Sequence, residues 1–325
     1  YSALLYGTSL LYGEGIEVDK RKALHYLKIV FNHENSKQHI KERAVAAKMI
    51  GCIHLETNNK KEAAEYFKKA ADNGDEESMF NYGLMLFEGE YFKKDRKEAA
   101  KYFKKAADKG EINSLFYIGQ MLYEGTEIPR NLTEAIKYFK LGAEKNEYKS
   151  MGQYGIILLL GQGVKENKQL AFKYLKTAAD HGVVGAIFAC GIMYYDGDGI
   201  KKNLVEAARY FKMGSDLKHP ESLLKYGLML FDGDGIKMNK KEAACYLKLA
   251  CDEGNGEATY HYGYKLYTGD GIPVNKKEAA RYFKMGADQN HPSSMFHYGR
   301  MLLSGDGIPM NLIEGVRLIE HAAQL

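Results

Sequence analysis

Residues 64–89, AEYFKKAADNGDEESMFNYGLMLFEG, hold the pattern that decides the fold. Their Tyr82-Gly83 dipeptide, or a close relative of it, recurs with its glycine at 7, 51, 83, 119, 155, 191, 227, 263 and 299. From Gly83 onward every interval is 36 residues, and the first two are 44 and 32. A fixed period of this size means stacked supersecondary units. One such unit is too small to bury a core, and its neighbours supply the missing surface. With positions counted from that glycine as zero, other glycines recur at plus 6, plus 8 and plus 27, as in Gly89, Gly199 and Gly110. All 5 prolines fall at plus 10 or plus 29.

Each unit reads as two antiparallel helices. The first carries Met79, Tyr82, Gly83, Leu86 and Phe87 at helical spacing. A mid-helix glycine is about 1 kcal/mol less favourable than alanine, so its recurrence implies a partner helix crossing closely there. The second helix opens on Asn or Asp at plus 12 (Asp95, Asn131, Asn203, Asn239, Asn275, Asn311), with Glu three residues later. That is a capping box, in which the cap oxygen accepts from a free backbone N–H and the Glu reaches back to the cap. Gly or Asn at plus 27 supplies the left-handed residue that ends the helix, with Lys218 as the exception. Pro220 and Pro292 fall in the first turn of the next helix, where a missing N–H costs little. The expected fold is all-α, a solenoid of about nine antiparallel helix pairs forming one domain over 1–325, its first and last repeats trimmed. A finer pattern overlies it. Gly142, Gly214 and Gly286 sit at plus 23 and are 72 residues apart, which predicts alternate junctions of different turn geometry.

Composition agrees with a packed, ordered array: 45% hydrophobic and 27% charged among 325 residues, with 34 glycines but few prolines, excludes collagen-like and low-complexity chains. The net charge of +4 neither demands nor excludes a nucleic acid partner. No apolar run reaches membrane-spanning length. Cys52, Cys190, Cys245 and Cys251 show no CxxC or framework spacing, so the chain reads as reduced and cytoplasmic, with the endoplasmic reticulum lumen as the alternative. Cys245 and Cys251 read as small buried residues. The chain starts without Met and stops inside a helical pattern, so it is read as part of a longer protein.

The aromatic pair Tyr66-Phe67, Ala70-Ala71, Gly74, Tyr82-Gly83, Gly89 and the Lys-Glu-Ala-Ala at 97–100 resemble the Sel-1-like repeat, a relative of the tetratricopeptide repeat. The second unit departs from the pattern, with residues 56–60 replacing the glycine loop and residues 31–40 lengthening the preceding turn. The resemblance implies a right-handed superhelical solenoid whose inner face binds other proteins, and it implies no catalysis. It also places the first helices on that inner face.

Candidate chemistry gives way to repeat punctuation. Asp196-Gly-Asp198-Gly199 looks like a calcium loop, but aligning Gly199 with the turn glycine puts Tyr194 at the first ligand position and Val205 at the twelfth, where Glu is required. Ser222-Leu-Leu-Lys225 matches SxxK without the SDN or KTG that would accompany it. The histidines show no metal-ligand spacing, and no phosphate-binding glycine motif occurs. No catalytic residue, metal or cofactor is therefore assigned. Lysine recurs at plus 21, as in Lys104, Lys140, Lys212 and Lys284, but an acid follows four residues later on the same helix face. That compensation disfavours nucleic acid binding through the outer face.

A structural position should repeat when the architecture repeats, so first-helix positions that vary mark the partner surface. These are Asn81, Leu84, Tyr117, Gln120, Gln153, Ile156, Leu160, Ala189, Ile192, Lys225, Leu228, His261, Tyr264, Lys265, His297 and Arg300. They predict a groove that is apolar in its middle and basic and aromatic in its C-terminal third. The expected function is a non-catalytic protein-interaction scaffold holding a partner segment, acidic or phosphorylated at that end. The alternatives are a regulatory or targeting module of a longer signalling protein and, less favoured, a nucleic acid binder.

Overall fold

The computed structural model describes residues 2–33, 39–89 and 93–325. Residues 34–38, half of the lengthened turn expected over 31–40, lie outside the described residues. The described chain is all-helical, and its contacts divide it within one helix into two compact units, residues 1–154 and 155–325. The first unit holds α1 (Ser2–Tyr12), α2 (Lys20–Asn32), α3 (Ile40–Glu56), α4 (Lys60–Asp72), α5 (Glu76–Glu88), α6 (Arg96–Asp108), α7 (Asn113–Glu124) and α8 (Leu132–Glu144). Helix α9 (Tyr148–Leu160) contains the boundary. The second unit continues with α10 (Lys168–Asp180), α11 (Val184–Asp196), α12 (Leu204–Asp216), α13 (Pro220–Asp232), α14 (Lys240–Asp252), α15 (Gly256–Thr268), α16 (Lys276–Asp288), α17 (Pro292–Ser304) and α18 (Leu312–Ala322). Odd helices are the first members of each pair and even helices the second, giving an α-solenoid of nine helix pairs.

The repeated glycine is where the two helices of a pair cross. A methyl group placed on Gly83 or Gly119 would lie 2.9 Å or 2.8 Å from the ring of Phe103 or Phe139. In the second unit the same clash falls at 2.6 Å between Gly191 and Phe211 and at 3.0 Å between Gly263 and Phe283. All four rings are fully buried. The mid-helix glycine is therefore the space into which a fully buried ring of the partner helix fits.

The cap at plus 12 fastens the pair a second way. Its backbone N–H donates across to the first helix, from Asp95 to Leu86 (3.0 Å), Asn203 to Tyr194 (2.8 Å) and Asn275 to Leu266 (2.8 Å). Its side chain accepts from the second helix's own N–H groups, as Asp95 does from Glu98 (2.9 Å) and Asn275 from Glu278 (3.0 Å). The cap's backbone N–H is thereby committed to the first helix, and where the glutamate reaches back to the cap it accepts from the side-chain amide, Glu134 from Asn131 (3.1 Å) and Glu242 from Asn239 (2.8 Å). Glu206, Glu278 and Glu314 instead pair with Arg209, Arg281 and Arg317 one turn on.

The junctions between pairs share one left-handed turn, closed at both kinds by the same backbone bond, as from Glu147 to Gly142 and from Val183 to Ala178, and what alternates along the 72-residue pattern is the residue at the turn and its packing. Asn146, Lys218 and Asn290 hold φ of 60°, 56° and 58° at the left-handed position, where Gly110, Gly182 and Gly254 hold 100°, 80° and 88°. The packing alternates in step. At one kind of junction a glycine meets a buried serine, and a methyl group on Gly142, Gly214 or Gly286 would fall 2.2–2.4 Å from the hydroxyl of Ser150, Ser222 or Ser294. At the other kind, the first position is alanine and the second is alanine or serine, as in the buried pairs Ala178 with Ala186, Ala250 with Ala258 and Ala106 with Ser114.

Adjacent repeats are also stitched by charge. Lys168 reaches Asp198 (2.6 Å), Lys240 reaches Asp270 (2.8 Å), and Asp306 accepts from both Lys276 (2.8 Å) and Tyr267 (2.8 Å). The acidic glycine loops that superficially suggested calcium spend a carboxylate on the preceding repeat.

Gly191→Ala should destabilise the protein by about 1–3 kcal/mol through overpacking against Phe211. Gly185 lies exposed in α11 with open space around it, so Gly185→Ala should be neutral or stabilising by up to about 1 kcal/mol. Urea unfolding of the two variants measures the contrast.

Candidate protein-interaction face on the first helices

In the first unit, Asn81 and Leu84 on α5, Tyr117 and Gln120 on α7 and Gln153 on α9 are all half-buried. The Tyr117 ring stacks on Phe103 at 5.0 Å and meets Phe87 edge-on at 5.7 Å, and the Lys149 ammonium lies 5.8 Å from its centroid. Tyr117 is thus part of the wall of its repeat as well as of its surface. Gln120 donates to Glu124 (2.7 Å) along its own helix.

In the second unit, Ile156, Ala189, Ile192, Lys225 and Leu228 are half-buried, and Leu160 is exposed. The structure brings Tyr264, His297 and Arg300 together. They line a cleft of about 370 Å³ at α15 and α17, with Tyr267, Met301, Leu303 and Ser304 completing it. Of these additions, Ser304 occupies plus 5, a position on the face read as variable. Tyr267 and Leu303 sit at plus 4, where both serve packing and surface, so variation alone did not single them out.

His297 is held in place by rings, stacked on Phe283 at 5.2 Å and edge-on to Tyr264 at 5.7 Å. Burial, then the nearby Arg300, pushes its imidazole below the ordinary histidine range. His261 is lowered by burial in the same way, although its Nε2 lies 3.7 Å from Glu257. Lys265 is not a free cation. Its ammonium sits 3.4 Å above the Phe231 ring centroid and pairs with Asp270 at 3.5 Å. Arg300 makes no ion pair among the described residues, and its guanidinium lies 5.7 Å from Phe296. The C-terminal third of this face is therefore strongly aromatic but carries fewer free positive charges than the sequence suggested, chiefly Lys225 and Arg300.

The remaining candidates resolve into structure. Ser222 is fully buried, and its N–H donates to Nδ1 of His219 (3.3 Å), the N-cap of α13. Ser294 and His291 repeat this arrangement at the start of α17, which marks it as a cap and not a nucleophile. Among the described residues no group of His, Cys, Asp and Glu is placed to hold a metal, and no helix is long and apolar enough to cross a membrane. Burial pushes the thiols of Cys190 and Cys251 up to about 12. Cys245, expected to be buried, is exposed, because plus 18 is an outer-face position that other repeats fill with Lys101 or Arg281. The outer lysines do find their acids, as in Lys284 with Asp288 (2.9 Å), Lys212 with Asp216, and Lys104 with Glu134 (2.7 Å).

The Sel1 repeat pattern matches residues 1–29, 55–75, 76–111, 112–147, 149–183, 184–219, 220–255, 256–291 and 292–325. The chain belongs to the Sel1 repeat family. This family commonly provides protein-interaction scaffolds and is generally non-catalytic. Among solved structures, the chain is similar to c5321, described as a protective antigen of uropathogenic Escherichia coli displaying an SLR fold, with a TM-score of 0.72 and 22% identity over 90% of this chain. It covers 64% of that longer protein. A Sel1 repeat protein from Oxalobacter formigenes gives a TM-score of 0.65 and 22% identity over 92% of this chain and 90% of its own. Likeness at this identity concerns the fold. No curated protein sequence matches the chain.

The histidines make the second unit sensitive to acid. His219, His261, His291 and His297 are all lowered by burial, so the fold favours their neutral forms. That contribution is complete above the unfolded value of about 6.5 and is lost as pH falls below it. Melting followed by circular dichroism should show Tm falling from pH 7 toward pH 5. His291→Asn, which keeps a cap acceptor without a titrating ring, should reduce the fall.

Proposed function

We propose that this chain is a non-catalytic scaffold that holds a segment of a partner protein along the exposed face of its first helices. The observation that carries this reading is the cleft at α15 and α17, where three of the variable first-helix residues, Tyr264, His297 and Arg300, come together. Aromatic walls offer large contact area at low entropic cost, and Arg300 offers a planar cation with no acid of its own. The partner segment is anchored by apolar side chains over Ile156, Leu160, Ala189 and Ile192. It turns acidic or phosphorylated where it meets Lys225 and Arg300.

Affinity capture with the protein and with a Tyr264→Ala/Arg300→Glu variant tests this. Partners lost from the variant should bind the unaltered protein directly, with affinity reduced at least about tenfold by the two changes, or roughly 1.4 kcal/mol. An identical captured set and equal affinities would reject the docking site. Equal loss on Lys104→Glu, a residue of the outer face, would instead point to the second helices.

A further inference from the structure

Six of the nine first helices carry a tyrosine at minus 1, just before the crossing glycine: Tyr6, Tyr82, Tyr154, Tyr226, Tyr262 and Tyr298. Its ring meets a tyrosine of the partner helix edge-on, with centroids 4.9 Å apart for Tyr82 and Tyr102, 4.8 Å for Tyr226 and Tyr246 and 4.7 Å for Tyr262 and Tyr282. The ring lies in the groove between successive second helices. Burial raises the Tyr226 hydroxyl, and Tyr246, Glu242 and Lys212 bear on it too, so it stands between one second helix and the one before it.

Three first helices depart from this column, with Ile50, Ile118 and Cys190. In two of them an aromatic at plus 3 takes over, His54 stacking on Tyr66 at 5.8 Å and Tyr194 on Tyr210 at 5.7 Å. Helix α7 has Leu122 at plus 3, so neither position supplies a ring. A cavity of about 270 Å³ opens there, walled by Ala100, Ile118, Leu122, Ile128 and Pro129. Lys97, Lys101 and Lys104 line its other side. Lys101 and Lys104 are paired with Glu98 (2.6 Å) and Glu134 (2.7 Å), while Lys97 is exposed and makes no ion pair among the described residues.

We infer that this cavity binds a small aromatic carboxylate, its rings lying where the tyrosine ring lies in other repeats and its carboxylate meeting the Lys97 ammonium. The walls are apolar and the unpaired charge at the mouth is positive, so an acid with an apolar body is the complement. An apolar cavity of about 150 Å³ takes benzene. One of about 270 Å³ has room for a fused pair of rings. A segment of a partner protein fits less well, because Tyr82 and Tyr154 are buried at the same position in the neighbouring repeats, leaving one isolated hole and not a row of them.

Isothermal titration of the protein with naphthylacetate should give saturable binding with a Kd of about 1 mM or tighter, the level that a ligand of this size reaches at ordinary efficiency. Ile118→Tyr restores the residue of the other repeats, and Leu122→Tyr copies Tyr194. Each should weaken binding at least about tenfold with unchanged helical circular dichroism, and where one fails to fold the other decides. Lys97→Glu should weaken the acid by up to about fivefold and leave the neutral naphthylacetamide unaffected. No binding, or binding that the filled variants retain, would overturn the inference. Equal affinity for acid and amide would overturn the carboxylate. A cavity that takes a peptide with an acid-flanked phenylalanine but not naphthylacetate would overturn it in favour of a protein partner.

Discussion

The crossing of each helix pair at a glycine is the constraint from which the rest of the structure follows. A buried ring such as Phe103 or Phe211 occupies the space where any side chain on Gly83 or Gly191 would have to go. That close approach brings the start of the second helix within hydrogen-bonding reach of the first, so that one residue at plus 12 binds the first helix through its N–H and caps the second through its side chain. With the pair thus fixed, its loop presents an acid to the lysine of the preceding repeat, and the first helix is left to carry variable residues on the side away from the crossing.

The fold was legible in the sequence because its determinants are punctuation. Glycine at a crossing, Asn at a cap and Pro in a first turn each have a local steric or hydrogen-bonding reason that survives without coordinates, and repetition multiplies the signal. The capping glutamate was legible in part: it reaches the cap's side-chain amide at Asn131 and Asn239, but a tertiary hydrogen bond claims the cap's backbone N–H, and nothing in a four-residue motif announces that. The exposure of Cys245 could have been read from its own column, where the other repeats place Lys101, Lys137 and Arg209.

The candidate site was legible only in part, for a physical reason. Variation identifies positions free to change, and it found Tyr264, His297 and Arg300. It cannot separate a charge offered to a partner from one consumed internally. Lys265 stands where other repeats place Met193, Met229 and Met301, and Phe231 and Asp270 form a local solution to burying its ammonium stem. Tyr267 escaped notice because its hydroxyl serves Asp306 while its ring borders the cleft. A residue with both duties follows neither rule.

The alternating junctions change what counts as a unit of this protein. Over residues 155–325 glycine on one side of a junction is matched by serine on the other, and alanine by alanine, and the two members always belong to different helix pairs. The module that must stay matched thus runs from the second helix of one pair through the first helix of the next, offset by one helix from the hairpin. A recombination breakpoint in the loop within a pair preserves every such match. One in the short turn between pairs can set glycine against alanine, leaving a void. Growth and loss of repeats in such a chain are therefore freer at the long glycine loops than at the tight turns.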